Sequence, residues 1–330
     1  MARRILALVL ALAVPAGAAY AQQVPDPAFD TSIARPMFTR RHPQLLVDQG
    51  HHNTHTTRSR YDVVAKLAIA DGFEVTTDDN RFATADLKGI DVLLIANALG
   101  SDHLQTATAA GPAFTAQECR DLRAWIAAGG SLLFVAEHPP MGTAAKPLAR
   151  ALGVDFSEGY LVDPVLADTS FGASTLVFSD ATRSLGDHPI LRGRGAGEQV
   201  RRVRTYTGQS LAGPPGSVAL LKVTARAQDY MLGPTGVRGP VPDSLKRRAA
   251  GRAQAIAFTL GKGRVVVLGE TSMLCAQLVT GPNGTQRKVG MNADDDNRQF
   301  AINTLRWLAH GLDAPAVVPV RPAPKAAARH

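Results

Sequence analysis

The segment Gly50-His51-His52-Asn53-Thr54-His55 places three of the chain's nine histidines within five residues. Neutral imidazoles suit general acid–base work near pH 7 and are common metal ligands. If the segment were helical, His51 and His55 would share one face, a spacing that suits a divalent metal. No second ligand motif of fixed spacing accompanies them, so a divalent metal is left open and none is required. The competing reading is plain: Asn53 or Thr54 caps the first helix and the histidines are solvated loop residues.

Two further places could carry chemistry. Glu137-His138 follows an apolar run and precedes Pro139-Pro140. Adjacent residues of a regular strand point to opposite faces, so both can serve one crevice only if the backbone turns there. These two are the candidate catalytic residues, either as a base with its orienting partner or as a source of two ligands. Glu270 follows Val265-Val266-Val267-Leu268-Gly269; it either faces the same mouth or caps the segment that starts at Thr271. Asp48, His51, His52, Asn53, His55, Asn97, Gln209 and Glu270 together form the candidate ligand-binding set. G-x-S-x-G, G-x-C-x-G, P-loop, G-x-G-x-x-G and H-E-x-x-H motifs do not occur.

These residues need a frame that gathers them. Pro43 to Asp48, Phe73 to Thr76, Asp91 to Ala96 and Ser131 to Ala136 read as buried strands. Between them, Tyr61, Val64, Leu67 and Ala68 recur at helical spacing, as do Leu122, Trp125 and Ile126 after the capping-box pattern Thr115-x-x-Glu118. A further helix covers Ala144 to Leu152. Residues 155–250 break this rhythm with short β-like pieces between Gly/Pro turns and read as an antiparallel excursion. A hairpin over Ala253 to Leu268 and a last helix, capped by Asp296-Asn297, complete the chain. The alternation predicts a doubly wound, mostly parallel α/β sheet of the flavodoxin-like kind. In such sheets ligands sit at the carboxyl ends of the strands, where the polar residues above fall.

The ordered segments Asp48-Gln49-Gly50-His51-His52-Asn53, Gly129-Gly130-Ser131-Leu132-Leu133, Glu137-His138-Pro139-Pro140, His188-Pro189-Ile190, Thr207-Gly208-Gln209-Ser210 and Gly263 to Glu270 resemble DUF4350-type proteins. These belong to the broad group with a class I glutamine amidotransferase-like fold, which also holds the extracytoplasmic domains of gliding-type ABC transport proteins and the GIFT domains. The resemblance spans about residues 42–311. It implies the fold and little more. In catalytic amidotransferases a Cys nucleophile stands on a sharp turn after a central strand; here that strand end carries Glu137-His138. The resemblance therefore does not bring Cys–His–Glu glutamine hydrolysis with it.

The ends read differently from the body. Arg3-Arg4, the apolar run Ile5 to Val14 and Ala19-Tyr20-Ala21 form a secretory signal pattern over residues 1–21. The expected compartment is periplasmic or extracellular, with no stable membrane insertion after cleavage. Residues 22–35 read as a linker, 36–312 as the α/β domain and 313–330 as a Pro/Ala-rich disordered tail. The formal charge of +8 falls to +6 without Arg3 and Arg4, and to +4 without Asp313, Arg321, Lys325 and Arg329. With few aromatics and no basic run interleaved with them, nucleic acid is excluded as a partner. Cys119 falls on a helix face with Leu122 and Ile126; pairing with Cys275 is left open. The expected function is binding of a small polar, glycan-derived ligand without Cys-dependent amidotransferase activity. The alternatives are a His/carboxylate hydrolase, metal-assisted or not, and an extracytoplasmic interaction scaffold linked to transport or envelope assembly; the expected partner is a small polar ligand or an envelope protein.

Overall fold

The computed structural model describes residues 22–81, 84–104, 106–232, 240–281 and 284–313. The signal and tail expectations, and residues 233–239 of the 155–250 excursion, lie outside them. The central sheet runs Glu74–Asp78, Gln44–Asp48, Val92–Ala96, Ser131–Val135, Gly263–Leu268, all parallel. Numbered by appearance along the chain, that order is 2-1-3-4-5, the flavodoxin-like doubly wound arrangement. Ala253–Leu260 continues it antiparallel, as the hairpin reading expects.

Side-chain alternation divides the core. On Val92–Ala96, Val92, Leu94 and Ala96 join Val64, Leu67, Phe300 and Trp307 on one face. Leu93 and Ile95 join Leu122, Ile126, Ala144 and Leu148 on the other. A period of two on the strand therefore feeds two separate helical layers. The helices Asp62–Ala70 and Asn297–Leu308 cover the first face, and Ala116–Ala128 and Met141–Ala151 the second. The Thr115/Glu118 capping box forms as expected, with Glu118 N donating to Thr115 Oγ1 and Thr115 N to the Glu118 carboxylate.

The excursion is antiparallel. Tyr160–Val162, Gln228–Tyr230 and Lys246–Arg248 form one small sheet, and Leu176–Ser179 pairs with Arg202–Thr205. Buried Asp229 ties it to the body, accepting from the Ser157 and Ser210 hydroxyls.

Three expectations are corrected here. Residues 22–35 are no linker: Gln22–Pro25 pairs antiparallel with Ala276–Thr280. Arg194 and Arg306 each donate to the Arg35 carbonyl, and Arg298 to those of Asp30 and Ser32. Arg306 is itself buried and held bidentate by Asp71 at 2.6 and 2.7 Å. Asp296 stands at the start of the last helix but spends its carboxylate on the Arg201 and Arg202 amides. Asn297 binds the Arg204 and Met273 backbone instead. The first helix begins at Asp62 after Tyr61, so neither Asn53 nor Thr54 caps it. Among the described residues, no helix is long and apolar enough to cross a membrane.

Candidate functional site

In the order 2-1-3-4-5 the connections leave in opposite directions after the first and third strands, the kind of point at which open α/β sheets take their ligands. The histidine segment passes over this point as an irregular loop rather than a helix. The predicted i, i+4 pair therefore does not form, and the two rings diverge into separate polar clusters.

The first cluster is buried. Asp48 ends its strand and accepts from Gly50 N, His51 Nδ1 (2.9 Å) and Asn53 Nδ2 (3.1 Å). The other ring nitrogen of His51 lies 3.2 Å from Glu118 Oε1, and the ring packs on Phe114. Burial opposes protonation of His51, but the Asp48 and Glu118 carboxylates outweigh it and raise its pKa. Bridged between the two carboxylates, the ring fastens the loop to the start of helix Ala116–Ala128. Asn53 completes the loop, accepting from His51 N and donating to the Ala96 carbonyl.

The second cluster opens to solvent. Glu137, half-buried at the end of the fourth strand, receives Asn97 Nδ2 on Oε1 and Thr271 Oγ1 on Oε2, each at 2.8 Å. Asn97 Oδ1 in turn accepts from Glu137 N at 3.1 Å. This reciprocal pair fixes the amide's orientation and needs Asn97 in the left-handed region (φ 48°), which Asn tolerates better than most residues. His55 stands behind it, edge-on to Tyr61, with Nδ1 near Thr54 Oγ1 and Asn97 Nδ2. Because that Asn97 nitrogen can only donate, Nδ1 accepts and the neutral ring carries its proton on Nε2. Among the described residues, that buried Nε2 has no hydrogen-bond partner. Burial, against the pull of Glu137, holds the His55 pKa down at about 4.

The remaining predicted residues sort apart. Glu270 does not reach the mouth. It is fully buried and caps the next turn, accepting from Ser272 N (2.7 Å) and Met273 N (2.8 Å). Burial and then the nearby Glu137 charge push its pKa up to about 8. Gln209 is also interior: Nε2 donates to the Ala136 and Glu137 carbonyls, and Oε1 accepts from Glu158 N. It positions the Glu137 backbone and has no polar atom left for a ligand. His138 turns away from Glu137, stacking on Tyr160 at 4.4 Å with Nδ1 against the Pro139 carbonyl. The two candidate catalytic residues therefore do not work as a base with its orienting partner. His52 is exposed, with φ 52°. Among the described residues, no hydrogen bond joins any two of Asp48, His52, Glu137 and Glu270, and no three His, Cys, Asp or Glu side chains are placed to hold a metal ion.

Thr271 and Tyr61 belong to the site without having been singled out. Thr271 grips Glu137, and Tyr61 donates to the Thr271 carbonyl at 3.2 Å. Tyr61 reads as core in the sequence because its helical spacing is real; only its hydroxyl faces the site. Thr271, directly after a strand end, obeys the same positional rule that singles out Glu270. Both cysteines are free and buried, and burial raises both pKa values, that of Cys119 to about 11.

No family model matches the sequence, and no curated protein matches it. Among solved structures, the one described as mmIFT52 N-terminal domain is similar over 80% of this chain and 97% of its own, at 15% identity and a TM-score of 0.53. A ThuA-like protein from Bacteroides uniformis is similar over 86% of this chain and 95% of its own (14% identity, TM-score 0.41). Cytoplasmic protein STM3548 from Salmonella typhimurium is similar over 81% and 98% (9% identity, TM-score 0.46). At such identities the likeness concerns the fold alone. Together with the strand order, it makes this an α/β chain of the flavodoxin-like kind.

Proposed function

We propose that the protein is an exported binding domain that takes a small polar, hydroxyl-rich ligand of the glycan-fragment type at the Glu137 mouth, without Cys-dependent amidotransferase chemistry. We further infer, from motif order, that it is of the DUF4350 type. One observation carries the binding reading: a half-buried carboxylate at the end of the fourth strand is held on both oxygens by Asn97 and Thr271. A carboxylate so held is a fixed acceptor for ligand hydroxyls. Neither thiol competes for the role, since both are interior and kept protonated by burial. The hydrolase alternative needs a second group that can exchange protons with a ligand. Glu270 is enclosed on its own turn, and His55 is buried and neutral, which favours binding.

The test is calorimetric titration of the full chain with a panel of saccharides and cell-wall fragments, repeated with Glu137→Ala after its fold is checked by circular dichroism. The expected result is saturable binding weakened at least tenfold, about 1.4 kcal/mol, in the variant. No saturable binding, or equal affinity in both proteins, rejects the reading. Turnover of a panel member that Glu137→Gln abolishes would make the protein a hydrolase.

A further inference from the structure

A second group of cationic side chains lies apart from the Glu137 mouth. Arg201, Arg202 and Arg204 form a basic cluster that alternates with Val200 and Val203, as the polar face of a strand would. Strand Arg202–Thr205 bears this out, with Val203 buried and Arg202 exposed. The fold then adds what local sequence does not show. Arg202 and Arg204 line a cavity of about 470 Å³ together with Phe171, Arg287, Lys288 and Asp295.

Phe171 is an exposed aromatic ring in this cavity, held edge-on by Tyr206. The guanidinium carbons of Arg204 and Arg287 lie 5.5 and 4.9 Å from its centroid. Such stacking orders a guanidinium and leaves its N–H edge free for a partner. Asp295 takes the Nε of both Arg202 and Arg204, and Asp168 takes a further Arg204 nitrogen. Arg204 is thereby largely committed to structure. Arg287 spends one nitrogen on the Ser170 carbonyl, and Arg202 spends one on Asp295. Each guanidinium has five N–H donors. Lys288, exposed beside them, has no hydrogen bond or ion pair among the described residues. Four cations against Asp294 and Asp295 leave the lining with excess positive charge.

We propose that this cavity is a second binding site, separate from the Glu137 mouth, for a compact polyanion bearing phosphate or carboxylate groups. Arg202, Arg287 and Lys288 supply the free donors, and Phe171 is the floor that keeps Arg287 in place. Convergent guanidinium forks over a ring suit bidentate oxyanions, whereas scattered surface cations give weak, unspecific contacts.

The experiment is calorimetric titration of the full chain at low salt with tripolyphosphate and, separately, citrate. The same titrations use Arg287→Ala/Lys288→Ala, Phe171→Ala and a remote control of equal charge, Arg226→Ala/Arg248→Ala. All four replaced cations are exposed, so both double variants are expected to fold; equal melting temperatures check this. The expected result is saturable binding of at least one probe, weakened tenfold or more by the Arg287/Lys288 pair, threefold or more by Phe171→Ala, and less than twofold by the remote pair. The two probes tell which oxyanion is preferred. No saturable binding of either probe, or equal weakening by the remote pair, overturns the proposal. Phe171→Ala without effect overturns the role of the ring as floor.

Discussion

Replacing Glu270 by Gln tests the electrostatics of the site directly. Its side chain has no exposed surface, and burial followed by the Glu137 charge raises its pKa from 4.5 to about 8. At about 1.4 kcal/mol per unit, that shift corresponds to about 5 kcal/mol of pH-dependent stability. Between these two values the unfolded chain has lost the proton while the folded chain keeps it. The unfolded state then binds fewer protons, so stability falls as pH rises. This contribution is complete below pH 4.5 and gone above about 8. His55 and His188, both held near 4 by burial, act in the opposite sense from about pH 4 to 6.5. They are common to both proteins and cancel in a difference. Urea unfolding followed by circular dichroism would give that difference from about pH 5 to 9. The stability of Glu270→Gln minus that of the wild type should climb by about 4 kcal/mol between about pH 5 and 8, then level off. A difference flat to within about 1 kcal/mol would refute the buried, protonated Glu270.

Other perturbations have equally definite outcomes. Arg306→Leu strands the Asp71 carboxylate in the core and should cost about 3–5 kcal/mol in urea unfolding, with much less additional loss when Asp71→Asn is combined with it. In Gly142→Ala, the new methyl would sit 2.5 Å from Gln209 Nε2 and 2.7 Å from the Glu137 carbonyl. It should lower stability by about 1–3 kcal/mol in thermal unfolding and weaken ligand binding at the Glu137 mouth in the same preparation. Cys119 and Cys275 should resist a thiol reagent in the native protein and both react in denaturant. Protein recovered from an export-competent host should begin at Gln22 on N-terminal sequencing; an intact Met1 would count against the signal.

The layers of the fold were legible because they rest on local chemistry. Short continuous apolar runs within an alternation of helices, such as Val92–Ala96, read as doubly buried strands, and Thr115 with Glu118 writes a helix start into four residues. The site was legible by position, since the strand ends named Asp48, Asn97, Glu137 and Glu270. Which of them face solvent was not, because that depends on long-range partners. Gln209 comes from the excursion and turns inward on the Glu137 carbonyl. Glu270 is claimed by amides two and three residues later. The 22–35 segment has little apolar content of its own; it is ordered by Arg194, Arg298 and Arg306, each more than 150 residues away in the chain. Residue composition alone cannot show such pairings.

The central claim is that a small polar ligand binds where Asn97 and Thr271 hold Glu137. Two-dimensional amide NMR of the full chain, titrated with the best member of the saccharide panel, tests it most directly. Saturable shifts are expected at Asn97, Glu137, His138 and Thr271, absent in Glu137→Ala, with the Arg287 and Lys288 signals unmoved. Shifts confined to the Phe171 cavity, or spread without saturation over the surface, would contradict it.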